Sequence, residues 1–121
     1  MLELIDTGMP HVVGFRIAGK ISAEDMTTVL DAAREAGQRV PELGLYEEIE
    51  SVGGIEINAI VQKLSYFHET GISNIRKIAV VSDKRWIQTV VGLEDKVIPS
   101  IQMRCFPTEQ RNNALSFLKT L

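Results

Sequence analysis

The stretch RKIAVVSD, residues 76–83, decides the predicted fold. Its four middle residues, Ile78 to Val81, are apolar in succession, so both faces of a strand here would be buried, as in the centre of a parallel sheet. In the four residues after Ser82 the chain then offers an anion, two cations and Trp86. We interpret this transition as a strand end that caps a helix and also lines a sheet edge where a ligand could bind.

Alternating and helical periodicities on either side of this strand predict the remaining elements. Strands are expected at 2–5, 12–19, 43–51, 76–83 and 101–106, and helices from Ser22, after Gly53-Gly54, near Asp83 and from Pro107. The order is β-β-α-β-α-β-α-β-α, which predicts an α/β fold with one mixed five-stranded sheet and about four helices. The first two strands are expected to form an antiparallel hairpin. With 121 residues, the chain is expected to form one domain over 1–121.

Several strands keep one polar face. This face carries Arg16, Tyr46, Glu48, Gln102 and Arg104. We expect it to be mainly solvated, with opposite charges forming cross-strand pairs. A partner surface is the alternative.

Composition excludes some classes of function. The net charge of −3 argues against nucleic-acid binding. The single cysteine, Cys105, excludes an intrachain disulfide and is expected to point inward on the last strand. The acidic first residues do not resemble a signal peptide, so a cytoplasmic protein is expected. Two scattered histidines give no metal-ligand spacing, and no cofactor is expected.

Three motifs carry a resemblance to a known family. They are GFRIAGKISAEDM, IRKIAVVSDKRW and RCFPTEQRNNALSFL. With them, the chain resembles the SpoIIAA-like family of the STAS superfamily, bacterial domains related to anti-sigma-factor antagonists. The resemblance implies a mixed sheet flanked by helices and no catalytic machinery. Antagonists of this superfamily are phosphorylated on a serine at the start of a helix. The matching stretch here is EINA, residues 56–59, without serine or threonine, and Ser51 lies earlier. The phosphorylation switch is therefore not carried over.

A ligand site is predicted at the carboxyl ends of the third and fourth strands, where ligands bind in open α/β sheets. Free N–H groups at two helix N-termini and two cations favour an anion there, although Glu50 and Glu56 oppose it. The alternative is a tight glycine turn and a simple helix cap. The candidate residues are Ser51, Gly53, Gly54, Asn58, Ser82, Asp83, Lys84, Arg85 and Trp86.

The helix predicted over 84–98 carries one apolar stripe more than a helix on a sheet needs. The surplus stripe is Trp86, Val90, Leu93 and Val97. We interpret this stripe as a homodimer interface, and an apolar ligand pocket is the second interpretation. Docking on an anionic membrane is less supported, because acidic residues offset Lys96.

An enzyme is the least favoured interpretation. It would need His68, Ser51, Ser82 or Asp83 to converge, and no spacing forces this. A buried, hydrogen-bonded His68 is the simpler interpretation. We therefore predict a non-enzymatic regulatory module that binds a small anionic or lipid-like ligand. The alternative is a protein-interaction domain similar to an anti-sigma antagonist but without phosphorylation.

Overall fold

A computed structural model describes residues 2–19, 23–50, 74–82 and 101–121. The described elements are strands β1 (Leu2–Ile5), β2 (Val12–Ile17), β3 (Leu43–Ile49), β4 (Ile75–Val81) and β5 (Gln102–Phe106), and helices α1 (Ala23–Arg39) and α2 (Arg111–Lys119), the second preceded by a 3-10 turn (Thr108–Gln110). The five predicted strands are confirmed. The Ser22 cap and the helices predicted after Gly53-Gly54 and over 84–98 lie outside the described residues.

The strands form one sheet in the order β1-β2-β3-β4-β5. β1 pairs antiparallel with β2, and every other neighbouring pair is parallel. This is the predicted mixed sheet with an opening hairpin. A register shift between Leu43 and Gly44 leaves Arg76 as an extra residue on β4, so Ile75 and Ile78 both reach the same core. β4 is buried along its apolar half, from Ile78 to Val81, as its uninterrupted run of apolar residues predicted.

The core has two layers, one on each face of the sheet. On the first face, Val29, Leu30, Ala33 and Ala36 of α1 belong to one buried cluster with inward residues of the four parallel strands, and α1 lies mainly against β2 and β3. On the second face, Ala114 and Leu118 of α2 belong to a second cluster, and α2 lies mainly against β3, β4 and β5. Each strand supplies alternate residues to the two layers, as the pleat requires. We call these the α1 face and the α2 face. The sheet residues of the α2 layer are Val12, Tyr46, Ala79, Val81 and Phe106.

Helix α1 ends at Arg39. This end lies between Gly37 and Pro41, the two residues that the sequence predicts to stop the helix. The Asn74 side-chain amide donates to the carbonyls of Gly37 (2.9 Å) and Val40 (3.1 Å). These bonds satisfy carbonyls that a helix end leaves without intrahelical partners. The Leu43 amide also donates to the Asn74 carbonyl (2.9 Å), so Asn74 joins the end of α1 to β3.

Gly44 and Lys77 hold the C-terminal part of helix α2 against the sheet. Gly44 of β3 has no Cβ, and a Cβ built there would lie 3.2 Å from a Leu118 methyl group. The absent side chain therefore lets α2 approach the strand closely. The Lys77 ammonium donates to the carbonyls of Phe117 (3.1 Å) and Thr120 at the C-terminal end of α2, where a cation suits the helix dipole. No helix among the described residues is long and apolar enough to cross a membrane.

Candidate functional site

The predicted ligand site is described at only one residue, Ser82. Its side chain is fully buried, and its backbone amide donates to the Phe106 carbonyl (2.9 Å), which extends the β4–β5 ladder past the last strand residue. The remaining predicted ligand residues, which are Ser51, Gly53, Gly54, Asn58, Asp83, Lys84, Arg85 and Trp86, lie outside the described residues. The predicted interface residues Trp86, Val90, Leu93 and Val97 also lie outside them, and so does His68.

An ion-pair network occupies the α2 face where β2 and β3 end. Arg16 lies opposite Glu48 in the register, and its guanidinium lies 3.6 Å from the Glu48 carboxylate and 3.7 Å from Glu50. Arg111, the first residue of α2, donates to the second Glu48 oxygen. The predicted cross-strand pairing of opposite charges is therefore confirmed, and α2 adds a second cation to it.

The expectation of a mainly solvated polar face is wrong for two of its five residues. Tyr46 and Glu48 are only 3% and 6% exposed, because α2 packs on β3 and β4. Gln102 and Arg104 are exposed, as predicted, and Arg16 is intermediate. Burial, together with the nearby Glu48 carboxylate, raises the pKa of Tyr46 to about 12. The Tyr46 phenol therefore stays protonated at neutral pH and serves as a hydrogen-bond donor.

The network balances its own charge. The hydrogen bond from Arg111 to Glu48, followed by the charge attraction between them, raises the pKa of the Arg111 guanidinium. Two arginines face the carboxylates of Glu48 and Glu50, so neither cation is left uncompensated for an anionic ligand. This arrangement joins β2, β3 and the start of α2, and we assign it a structural role.

Glu47 is the polar residue that sequence analysis missed. It lies on the α1 face between Phe15 of β2 and Val80 of β4, and it is only 4% exposed. Its Oε1 atom has no hydrogen-bond partner among the described residues. Burial raises the pKa of Glu47 to about 8. Strict alternation from Leu45 to Ile49 was the available signal, because it places position 47 on the apolar face.

His11 and Cys105 have structural roles. A ring nitrogen of His11, Nε2, lies 3.0 Å from the Leu118 carbonyl and joins the β1–β2 turn to α2. Cys105 is half-buried and packs against the α1-face core, as its predicted inward position requires. Among the described residues, no group of three His, Cys, Asp or Glu side chains could hold a metal ion.

A groove of about 420 Å³ lies between the β1–β2 hairpin and α1. Leu4 lines it from the edge strand, and Ala32 and Ala36 line it from the helix. Leu4 is 54% exposed, the one large hydrophobic side chain found exposed in the described part of the chain. Sequence analysis missed this surface, since a four-residue strand gives no sign of which side its neighbours leave open.

The comparisons with known proteins agree with this architecture. The family model described as SpoIIAA-like matches residues 12–119, from the start of β2 to the end of α2. No match was found among curated proteins or among solved structures. The matched range spans the four parallel strands and both described helices. The chain therefore belongs to the SpoIIAA-like family, within the STAS superfamily.

Proposed function

We propose that this protein is a non-enzymatic regulatory domain that binds a small ligand at the carboxyl edge of its sheet. The observation that supports this most is a pair of buried polar side chains where β3 and β4 end. Glu47 lies two residues before the end of β3, and Ser82 follows the last residue of β4. Alternation along β4 places Ser82 on the same face as Val80, which lies opposite Glu47. Ligands of open α/β sheets bind at this edge.

The described charges favour an uncharged, largely apolar ligand over an anion. Glu50 is exposed at this edge, and the nearby guanidiniums of Arg16 and Arg111 already face carboxylates. The α1 face around Glu47 is aliphatic and aromatic, with Phe15, Val80 and Ile49 as neighbours. Binding pockets combine such apolar walls with a few polar groups.

Native mass spectrometry of the protein as purified from its host cells tests this proposal. We expect a mass in excess of the polypeptide that disappears under denaturing conditions, because a buried ligand leaves only when the fold opens. The control is the same preparation after unfolding, dialysis and refolding, which should show the bare chain. A third sample, the refolded protein with a small-molecule extract of the cells, should regain the excess mass. A bare chain in the purified, the refolded and the extract-treated sample would contradict the proposal.

A protein-interaction domain is the second candidate, and the β1 edge favours it. Among the described strands, β1 has a neighbour on one side only, and its exposed Leu4 borders the groove beside α1. An open strand edge with an exposed apolar side chain is a template for pairing with another chain. For this candidate we propose a second copy of the chain, paired through antiparallel β1 strands with Leu4 opposite Leu4, because opposed side chains must lie on the same face of the joined sheet.

Two matched variants separate this edge from the dimer interface predicted from the sequence. Leu4→Glu places a charge on the β1 edge, and the double change Val90→Asp with Val97→Asp places charges on the predicted apolar stripe. Size-exclusion chromatography with light scattering should show a dimer that only Leu4→Glu converts to a monomer. Dissociation by the double change alone would assign the interface to the stripe, and a monomeric unmodified protein would refute both.

A further inference from the structure

Arg104 on β5 differs from the other described arginines. Each of those lies within 3.9 Å of a carboxylate, and they are Arg16, Arg34, Arg39, Arg76 and Arg111. Arg104 is exposed and forms no ion pair with any described residue. The chain has 16 acidic residues against 13 basic ones, so it does not lack carboxylates that could pair with an arginine. The charge of Arg104 therefore remains available to an anion outside the described residues.

Two aromatic rings hold the Arg104 side chain in place. Its guanidinium carbon lies 5.2 Å from the centre of the Phe106 ring and 5.3 Å from the centre of the Phe117 ring. Phe106 is buried in the α2-face core, and Phe117 packs against that core. The cation–π attraction acts between the charge and the rings, so it leaves the N–H groups of Arg104 available as hydrogen-bond donors.

Lys77 and Gln102 extend this cationic surface. Gln102 is exposed two residues before Arg104, so both side chains leave β5 on the same face. Lys77 lies opposite Gln102 in the register, and its ammonium lies 4.6 Å from the centre of the Phe117 ring. We call Lys77, Gln102, Arg104 and Phe117 the β5 surface. It combines two cations, an amide and an aromatic ring, and no carboxylate in the described part of the chain pairs with either cation.

We propose that the β5 surface binds an acidic segment of a partner protein, in which one carboxylate pairs with the Arg104 guanidinium. The planar guanidinium matches a carboxylate with two parallel N–H···O bonds. Arginine and aromatic residues are also the types that contribute most binding energy at protein interfaces. An apolar side chain beside the carboxylate packs on Phe117, and Lys77 attracts a second carboxylate. The proposed ligand site lies on the α1 face and the proposed dimer contact on β1, so this inference goes beyond both.

Charge and shape favour a protein segment over a nucleic acid or a small molecule. Nucleic-acid binding depends on many cations that neutralise phosphates, whereas the β5 surface has two cations in a chain of net charge −3. Small molecules bind in concave pockets, and no residue of the β5 surface lines any of the described cavities. An exposed, open surface suits an extended segment of another protein instead.

An NMR titration of ¹⁵N-labelled protein with the peptide acetyl-Glu-Phe-Glu-amide tests the proposal. The Arg104 Nε–Hε resonance, identified by its absence in Arg104→Gln, should shift as the peptide binds. The control peptide acetyl-Gln-Phe-Gln-amide has the same length and ring but no carboxylate, so it should bind about tenfold more weakly. Binding of the acidic peptide should also weaken as added salt screens the charges. Equal binding of the two peptides, or binding of neither, would overturn the inference.

Three variants test the role of Arg104. Arg104→Gln removes the guanidinium, so it should bind the acidic peptide about tenfold more weakly. Arg104→Lys keeps the charge without the planar fork, so its affinity should lie between those of Arg104→Gln and the unmodified protein. Arg34→Gln is the matched control, because it removes an exposed arginine of α1 and should bind like the unmodified protein. Circular dichroism verifies that each variant folds.

Undiminished binding by Arg104→Gln would overturn the inference, and the charge of Arg104 would then protect an outer strand of the described sheet from pairing with other chains. Oligothymidylate that binds more tightly than the peptide, and does so through Arg104, would assign a nucleic acid and also overturn it. Peptide binding through Arg104 by a protein that retains no small molecule would support this inference and contradict the proposed ligand-binding function. Retention of a small molecule without peptide binding would do the reverse.

Discussion

The pH dependence of folding should change when Glu47 is replaced by glutamine. The unfolded chain hydrates Glu47, whose pKa is then about 4.5, whereas burial in the folded protein raises that pKa to about 8. Because its pKa is higher in the folded than in the unfolded state, Glu47 contributes most to the free energy of unfolding below pH 4.5. This contribution is lost as the pH rises from 4.5 towards 8. Glutamine cannot ionise, so Glu47→Gln removes this loss.

The expected magnitude follows from the two pKa values. Each pH unit between them lowers the unfolding free energy by about 1.4 kcal/mol. The difference in unfolding free energy between Glu47→Gln and the unmodified protein should therefore change by about 3 kcal/mol in favour of the variant between pH 4 and pH 7. Above pH 8 the change should reach about 5 kcal/mol in total. Such differences are a large fraction of the stability of an ordinary domain.

Urea unfolding followed by circular dichroism measures this difference at pH 4, 5, 6, 7 and 8.5. Glu3→Gln is the matched control, because Glu3 is an exposed glutamate on a strand and water hydrates its carboxylate in both states. Its stability should run parallel to that of the unmodified protein at every pH. A Glu47→Gln curve that also runs parallel would refute the reasoning, since Glu47 would then be hydrated or paired with a cation in the folded protein.

Three further substitutions test the packing and the ion pairs. Gly14→Ala should lower the unfolding free energy by about 1–3 kcal/mol, since the new Cβ would lie 2.6 Å from a Thr7 methyl group; unchanged urea unfolding would contradict this close approach. Glu48→Gln should lower the free energy of unfolding by about 2 kcal/mol, because it removes a buried carboxylate that binds two guanidiniums. A double-mutant cycle with Arg111→Met should show coupling between the two residues. Additive effects of the two changes would argue against the bond between Arg111 and Glu48. Lys77→Met should speed amide exchange in the last turn of α2 about tenfold, and unchanged exchange rates would show that the ammonium does not hold that turn.

The strands could be predicted because their periodicity is local. The run from Ile78 to Val81 is apolar on both faces, and burial on both faces of β4 follows directly. Glycine is a weaker signal at a helix end. Gly37 lies inside α1 because Asn74, far along the chain, binds the carbonyls at that end. A local pattern contains no information about such a partner.

The α2 face could be predicted only in part. The cross-strand pair of Arg16 and Glu48 follows from alternation and register. Burial of Glu48 depends on where α2 packs and on Arg111, 63 residues away in the sequence. The charge of Glu48 therefore suggested solvent, although tertiary packing supplies two cations that make burial tolerable.

For Glu47, the direction of the side chain could be predicted from the sequence, but its burial could not. Its neighbours Leu45 and Ile49 define its face, so its direction could be predicted, but a charged residue type argued against the interior. The packing of the α1 face buries the carboxyl, and this burial raises its pKa to about 8. The candidate site therefore became visible only in the folded protein.

The most direct test of this account is an NMR titration of the Glu47 side-chain carboxyl in protein labelled with ¹³C at glutamate. The resonance that disappears in Glu47→Gln identifies the group. This resonance should titrate with a pKa of about 8, because the α1 face buries the acid and none of the described cations lies beside it. A midpoint near 4.5, the ordinary value for a hydrated glutamate, would contradict this and would show that Glu47 is hydrated or paired with a cation in the folded protein.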